Sequence, residues 1–267
     1  MTQNDAWFET AVTELIDPQN QRVWSIIVSL FGDLAQERGA QLSGGAVTRI
    51  IEPMGIKPEA IRVALHRLRK DGWIESARSG RASMHFLTDY GRAQSAQVTP
   101  RIYAREPEIA QDWHLLIAED GPGIRTLDDL MLTKPYTPIG RAVALGAGPL
   151  PADCEDLAAF EVTARAAPAW LQSRLCPPDL IAACTSLHDA AQRVRRTRPA
   201  DWQPTPLQIA TLRTLIVHRW RRVVLRHPDL PEVFYPDDWT GELCRAEVFR
   251  LLDTLPFTGP AEVNAAV

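Results

Sequence analysis

The chain has 267 residues and a formal net charge of −4, with 45% hydrophobic and 23% charged residues. This length suffices for two or three small domains, and the composition is that of an ordinary soluble globular protein. No run of about 18 or more apolar residues and no basic-then-apolar start occur, so we expect neither a membrane span nor a secretory signal. Four scattered cysteines without a C-x-x-C pair indicate free thiols in a reducing cytoplasm rather than a metal cluster.

Two helices are predicted in the first fifth of the chain. Residues 22–34 (RVWSIIVSLFGDL) space their apolar side chains as a buried helix does. Residues 43–54 (SGGAVTRIIEPM) begin with Ser43, which suits the capping position, and carry Val47 and Ile50 on one face. Gly55 follows and marks a turn before the next element.

The segment from Lys57 to Leu87 predicts a basic helix and then a two-stranded hairpin. Pro58 suits the first helical turn, and Gly72 suits the left-handed position that ends a helix. At about 100° per residue, one side of this helix is apolar; it consists of Ile61, Ala64, Leu65 and Leu68. The opposite arc carries Arg62, Val63, His66, Arg67 and Lys70. Two alternating segments, 73–77 and 82–87, form the hairpin.

Helices followed by a basic hairpin are the order of a winged helix-turn-helix, which lays one helix in the major groove of DNA. Residues 22–105 hold thirteen Lys and Arg against seven Asp and Glu, a net charge of +6 that leaves −10 for the remainder. A solvated basic face is the alternative for an isolated helix, but the neighbouring elements and the local charge favour DNA binding. The candidate DNA-binding residues are Ser43, Thr48, Arg49, Lys57, Arg62, His66, Arg67, Lys70, Arg78 and Arg81. Ser43, Thr48 and Arg49 are expected at phosphates, where most protein–DNA hydrogen bonds are made.

The remaining chain predicts two further domains. A polar helix over 88–105 leads to strands at 113–118, 141–146 and 158–164, with a helix at 124–132. This order favours a small α+β domain of abbreviated ferredoxin-like type, although short apolar runs are ambiguous between helix and strand. The later patterns are helical, at 179–196, 205–226 and 241–255. The predicted fold class is therefore α+β and mostly helical, with domains at 20–105, 106–167 and 168–267.

Six segments carry a family resemblance in combination. They are SLFGD (29–33), AIRVALHRLRKDGW (60–73), RSGRASMHFLTDYGR (78–92), RIY (101–103), LIVHRWRRVVLRHPDLP (215–231) and PDDWTG (236–241). Together they resemble the PaaX family, the phenylacetate-degradation repressors. Residues 136–178 are shorter than the family pattern and depart from it.

The resemblance implies a cytoplasmic, homodimeric transcriptional repressor of an aromatic-acid (phenylacetate) catabolic operon. Such a dimer would bind a palindromic operator on double-stranded DNA and leave it when phenylacetyl-coenzyme A, or a related aryl-coenzyme A, binds. We expect no catalytic residue and no metal, and no cofactor besides this effector.

A coenzyme A thioester needs cations for its phosphates and an apolar pocket for its acyl group. The candidate effector-binding residues are His218, Trp220, Arg221, Arg222 and Arg226. The alternative is a basic surface helix whose arginines pair with acids such as Asp229, Asp237 and Asp238. The second arginine run, at 193–198, is expected to be a solvated helix end.

The six histidines are dispersed, and motifs for a nucleophile elbow, a phosphate-binding loop or a zinc protease are absent. We therefore expect that the chain is not an enzyme. An acyl-coenzyme A thioester hydrolase stays open as the enzymatic alternative, because Ser–His–acid triads assemble in space and not in sequence. A DNA-binding protein without a small-molecule effector is the third possibility.

Overall fold

The computed structural model describes residues 3–80, 82–133, 136–150, 154, 156–226 and 229–267. It is mixed α and β and mostly helical, which confirms the predicted class. Two compact units are present. The first joins Met1–Arg105, Ser186–Arg222 and Leu243–Val267, and the second joins Glu106–Thr185 and Val223–Glu242. This grouping differs from the three consecutive domains predicted above, because most of the C-terminal helices belong to the unit that contains the N-terminal ones.

The elements follow one another along the chain with short connections. The first part contains α1 (Gln3–Leu15), α2 (Val23–Leu34), β1 (Leu42–Ser43), α3 (Gly44–Ile51), α4 (Pro58–Lys70), β2 (Ile74–Ser79), β3 (Ala82–Leu87) and α5 (Asp89–Tyr103). The middle contains β4 (Trp113–Ala118), α6 (Pro122–Thr133), β5 (Thr137–Gly140), β6 (Val143–Ala147), β7 (Leu157–Val162) and α7 (Ala169–Leu175). The last part contains α8 (Pro178–Thr197), α9 (Pro206–Val224), α10 (Gly241–Leu252) and α11 (Pro260–Ala265).

In the first unit, α2, α3 and α4 are followed by a three-stranded antiparallel sheet of order β1-β3-β2. Ser43 caps α3, since its Oγ accepts a hydrogen bond of 3.0 Å from the N–H of Ala46. Thr88 caps α5 in the same way, accepting from Gly91 N–H at 2.9 Å. Gly72 has a φ of +74°, which permits the sharp turn from α4 into β2.

Buried hydrogen bonds connect helix α9 to the N-terminal module, by which we mean helices α2 to α5 and the β1-β3-β2 sheet. Thr211 Oγ1 donates to the carbonyl of Ile50 in α3 at 2.9 Å. Trp220 Nε1 donates to the carbonyl of Ile102 in α5 at 2.8 Å. Because these residues are distant in sequence and buried together, the first unit has one continuous core rather than two.

A buried ion pair also links α2, α5 and α9. Arg213 donates to both carboxylate oxygens of Asp33, from Nε at 2.9 Å and from Nη2 at 2.8 Å. The side chain of Asp33 is 1% exposed and that of Arg213 10%. The hydroxyl of Tyr103 donates to the same carboxylate, and burial together with the charge of Asp33 raises the pKa of Tyr103. We call these three residues the Asp33 cluster.

The second arginine run is not the simple solvated helix end predicted for it. Arg193 pairs with Glu14 at 2.9 Å, and Arg195 Nε pairs with Glu247 at 2.5 Å. Glu247 has a side chain only 1% exposed. Burial alone would raise the pKa of this carboxyl, but the hydrogen bonds from Arg195 and Arg250 lower it.

The second unit contains a four-stranded antiparallel sheet of order β5-β6-β4-β7, with α6 packed against one face. Strand β6 lies between β4 and β5, the split arrangement of ferredoxin-like sheets. The predicted strands appear as β4, β6 and β7, and the predicted helix appears as α6. Strand β5 was not predicted. Leu116, Leu127 and Ala144 form the core between α6 and the sheet.

Candidate nucleic-acid interface

Helix α4 has the two faces that its sequence predicts. Ile61, Ala64, Leu65 and Leu68 are buried. The opposite arc is exposed and carries Arg62, Val63, His66, Arg67 and Lys70. Val63 is 69% exposed among these charged residues. The arc therefore combines hydrogen-bond donors with one apolar contact point, the chemistry that reads base edges in the major groove.

Within the protein, Arg62 and Arg67 of this arc form exposed ion pairs. Arg62 pairs with Glu59 at 2.8 Å, and Arg67 pairs with Asp71 at 3.5 Å. Both pairs are exposed, so each contributes at most about 1 kcal/mol and exchanges readily for a phosphate or a base. The guanidinium of Arg67 also lies 5.8 Å from the ring centre of Trp24 in α2, which orients it.

The candidate phosphate contacts near α3 differ in their availability. Thr48 is half-buried and its hydroxyl donates to the carbonyl of Gly44 at 2.8 Å. The backbone N–H of Ser43 donates to Asn264 Oδ1 at 2.8 Å, so helix α11 occupies part of the space beside the start of α3. Arg49 is exposed. Of the residues predicted here, Arg49 is thus the most accessible.

The hairpin of β2 and β3 lies beside α4. Arg78 is exposed on β2, and Lys57 is exposed immediately before α4. Arg81, predicted to lie at the tip, falls outside the residues that the structure describes. Within the hairpin, His85 Nδ1 on β3 contacts Ser76 Oγ on β2 at 2.8 Å, and the two residues lie opposite each other in the strand register. Burial and the nearby charge of Arg69 lower the pKa of His85, so the ring is neutral and serves as a packing residue.

Two of the predicted effector residues are buried in the first unit. Trp220 is 2% exposed, donates to the Ile102 carbonyl and lies 5.3 Å beneath the guanidinium of Arg245. Its ring therefore offers no face to a ligand in this structure, contrary to the stacking role predicted for it. His218 contacts Ser29 Oγ at 3.2 Å and the Asn20 carbonyl at 3.4 Å. Burial lowers the pKa of His218 to about 4, so it is uncharged at neutral pH.

The predicted effector arginines have separate surroundings. Arg221 is half-buried, and its Nη1 donates to Ser29 Oγ at 3.1 Å. Arg222 lies 3.9 Å from Asp17, and Arg226 lies 3.6 Å from Asp179; both arginine side chains are partly exposed. Ser29, which sequence reasoning missed, is the residue that brings His218 and Arg221 together. Its only sequence signal was membership of the SLFGD segment.

The described part of the chain contains no candidate membrane-spanning helix and no candidate metal site. None of its helices is both long enough and apolar enough to cross a membrane. Within those same residues, no three His, Cys, Asp or Glu side chains are placed to hold a metal ion.

Comparison with known proteins shows the family. A family model described as "PaaX-like protein" matches residues 22–91, and one described as "PaaX-like protein C-terminal domain" matches residues 179–256. The chain belongs to the PaaX-like family. The first match contains α2 to β3, and the second contains nearly all of α8 and the whole of α9 and α10. The PaaX-like matches therefore confirm the resemblance found at both ends of the sequence.

Two individual relatives add detail. "Transcriptional repressor PaaX" from Escherichia coli (strain K12) is 29% identical over 242 residues, covering 83% of this chain and 76% of that protein. The solved structure of "Uncharacterized protein Rv0674 from Mycobacterium tuberculosis" is 20% identical with a TM-score of 0.50, covering 91% of this chain and 97% of that one. The second likeness bears on the fold alone. The family match and the relative named as a transcriptional repressor bear out the prediction that this chain is not an enzyme.

Proposed function

We propose that the chain is a DNA-binding transcriptional repressor whose N-terminal module is a winged helix-turn-helix. The observation that carries this proposal is the exposed arc of α4, with three cations, His66 and the exposed Val63 opposite a fully buried apolar stripe. The name of the Escherichia coli relative supports the same function.

In this proposal α4 enters the major groove and the hairpin contacts the flanking backbone. Arg62 and His66 lie on the exposed arc and read base edges. Val63 contacts an apolar base group such as the methyl of thymine. Lys57 and Arg78, at the ends of the exposed surface, contact phosphates and supply affinity without sequence preference.

The proposal extends to assembly and to the controlled genes. A homodimer with two-fold symmetry presents two copies of α4 to a palindromic operator, with half-sites about one helical turn or a multiple of it apart. We propose that this operator controls an aromatic-acid (phenylacetate) catabolic operon in the cytoplasm.

An aryl-coenzyme A thioester such as phenylacetyl-coenzyme A is proposed as the signal that releases the repressor. Such a ligand combines several phosphates with an apolar acyl group. The exposed guanidinium groups of Arg222 and Arg226 are each available to phosphate, and Arg221 is the predicted residue that reaches an apolar environment.

A gel shift tests this proposal. The probe is duplex DNA from upstream of the gene that encodes the chain, and phenylacetyl-coenzyme A is titrated into the complex. We expect a salt-sensitive specific complex that the thioester dissociates and coenzyme A alone does not. Equal affinity for the upstream DNA and for random DNA would contradict the repressor function. A specific complex unaffected by the thioester would leave a DNA-binding protein without this effector.

A further inference from the structure

In the described part of the chain, Arg67 is the cation of the exposed α4 arc that contacts a second helix. Its guanidinium lies 5.8 Å from the ring centre of Trp24 in α2. Its Nε also lies 3.5 Å from the carboxylate of Asp71, the residue that ends α4. Arg62, in contrast, pairs with Glu59 of its own helix. Arg67 is thus held between a ring on one helix and a carboxylate at the end of another.

The guanidinium of Arg67 keeps most of its donors available to an outside partner. The contact with Asp71 uses Nε, and the Arg67 side chain is 64% exposed. The two Nη groups carry four of the five N–H donors of an arginine. The attraction between a cation and an aromatic ring is electrostatic and does not consume these donors. Arg67 is therefore oriented by the protein and still able to bind an oxygen-bearing ligand.

The place of Arg67 on α4 favours contact with a phosphate over contact with a base. At about 100° per residue, Arg67 lies about 40° beyond Val63 and about 140° from Arg62, which is the edge of the arc on the side of α2. Arg67 also belongs to the last turn of α4, whereas the N-terminal residues of a recognition helix contact base edges. The planar fork of a guanidinium matches two oxygens of a phosphate. An edge position and a forked donor therefore fit the sugar–phosphate backbone that borders the groove.

We propose that Trp24 is a positioning residue for DNA binding, which holds the guanidinium of Arg67 in place for a backbone phosphate on the α2 side of the major groove. This inference rests on the proposed insertion of α4 into DNA. An arginine that is free before binding loses rotamer freedom when it binds, and this loss weakens the complex. Because Trp24 already orders Arg67 in the free protein, the complex with DNA avoids much of that loss.

The alternative is that Trp24 only covers the edge of the core. Its ring is half-buried, and α2 has a buried apolar stripe of its own that includes Ile27, Leu30 and Phe31. A purely structural ring would support the fold, and its effect on DNA affinity would not depend on Arg67. A positioning ring would affect DNA affinity only while Arg67 is present. The coupling between the two residues, rather than the effect of either one, therefore distinguishes the two roles.

Fluorescence anisotropy of labelled duplex DNA measures this coupling in the full chain. The duplex comes from upstream of the gene that encodes the chain, and each Kd is determined at several salt concentrations. The variants are Trp24→Met, Arg67→Ala and the double variant, with Trp24→Phe as the conservative change. Trp170→Met is the matched control, since the exposed ring of Trp170 lies 5.6 Å from the guanidinium of Arg174 in the second unit, outside the N-terminal module.

The positioning role predicts a defined pattern of affinities. Trp24→Met should weaken DNA binding about three- to tenfold in the wild-type background and less than about twofold in the Arg67→Ala background. Trp24→Phe, which keeps a ring, and the control Trp170→Met should stay within about twofold of the wild type. Arg67→Ala should reduce the slope of log affinity against log salt by about 1. Trp24→Met removes no charge and should leave this slope unchanged.

Arg67→Lys tests the same role without changing Trp24, and it covers the case in which Trp24→Met does not fold. Lysine keeps the charge but lacks the planar fork. This exposed substitution should therefore weaken DNA binding about three- to tenfold with an unchanged salt slope. Wild-type affinity in Arg67→Lys would overturn the inference.

The remaining outcomes separate this inference from the proposed function. Equal effects of Trp24→Met in both backgrounds would overturn the positioning role and leave Trp24 as a core residue. Loss of discrimination at one base pair in Arg67→Ala, measured with single-substitution duplexes, would overturn the phosphate contact. In both cases specific DNA binding by the wild type would stand. Equal affinity of the wild type for upstream and random DNA would refute the proposed function itself.

Discussion

Replacing Arg213 with methionine tests whether the C-terminal helices and the N-terminal module share one core. The change leaves the carboxylate of Asp33, 1% exposed, with Tyr103 as its remaining partner in the cluster. It also removes the hydrogen bond of 2.9 Å from Arg213 to the Leu255 carbonyl. Removing one partner of a buried ion pair lowers the free energy of unfolding by about 3–5 kcal/mol, because the other charge stays buried without a partner. In a unit of this size each kcal/mol lowers the melting temperature by about 2–4 °C, so a fall of roughly 6–20 °C is expected.

Thermal and urea unfolding followed by circular dichroism measure this loss. Arg222→Met is the matched control on the same helix, since its partner Asp17 is 3.9 Å away and the pair is partly exposed. The control should lose at most about 1 kcal/mol. The double variant Asp33→Leu with Arg213→Met should be less destabilised than the sum of the single variants, because no unpaired charge remains. If Arg213→Met costs no more than the control, the Asp33 cluster does not join the two parts of the chain.

Three further predictions concern DNA contacts and pH. Val63→Ala should weaken operator binding by about 1 kcal/mol or more. Replacing thymine by uracil at one operator position should weaken DNA binding by the wild type but not by the variant. Equal effects on both proteins would show that Val63 does not contact a thymine methyl group. Arg78→Ala should lower affinity for all duplexes and reduce the slope of log affinity against log salt by about 1; an unchanged slope would exclude a phosphate contact. The pKa of His218 is lowered to about 4 from 6.5, so the unfolded chain takes up a proton that the folded protein excludes. Stability from this group is therefore complete above pH 6.5 and is lost as the pH falls toward 4. At about pH 5 the free energy of unfolding is about 2 kcal/mol lower than above pH 6.5 because of this group. The measurement compares the pH dependence of unfolding in the wild type and in His218→Gln. Identical pH profiles would contradict a buried neutral ring.

The sequence predicts the elements of the molecule better than their assembly. Helix α4 begins at Pro58 and ends before Gly72 because proline and glycine mark those positions, and its apolar spacing identifies the buried face correctly. Strand β4 has its predicted bounds, 113–118. Strand β5, with the sequence TPIG, was missed because proline and glycine disfavour strands; it is tolerated at the edge of its sheet.

Assembly depends on contacts that no local pattern contains. The hydrogen bond between Arg213 and Asp33 joins residues 180 positions apart, so the grouping of α9 with α2 has no signal in spacing or periodicity. The same limit explains Trp220. Its basic neighbours suggested an exposed ligand-binding surface, but the carbonyl of Ile102 satisfies its indole N–H and holds the ring in the core. Local patterns thus located the buried and the exposed faces of α4 correctly and could not show which side of α9 is buried.

Selection from a random duplex library tests the central claim, that α4 reads DNA sequence, most directly. Full-length protein is bound to the library, retained duplexes are sequenced, and the selection is repeated with Arg62→Ala and His66→Ala. We expect the wild type to enrich a palindromic motif and each variant to relax it at a defined base pair in both half-sites, at a cost of about 1–3 kcal/mol for that position. Enrichment of no motif, or the same motif from all three proteins, would contradict base reading by this helix.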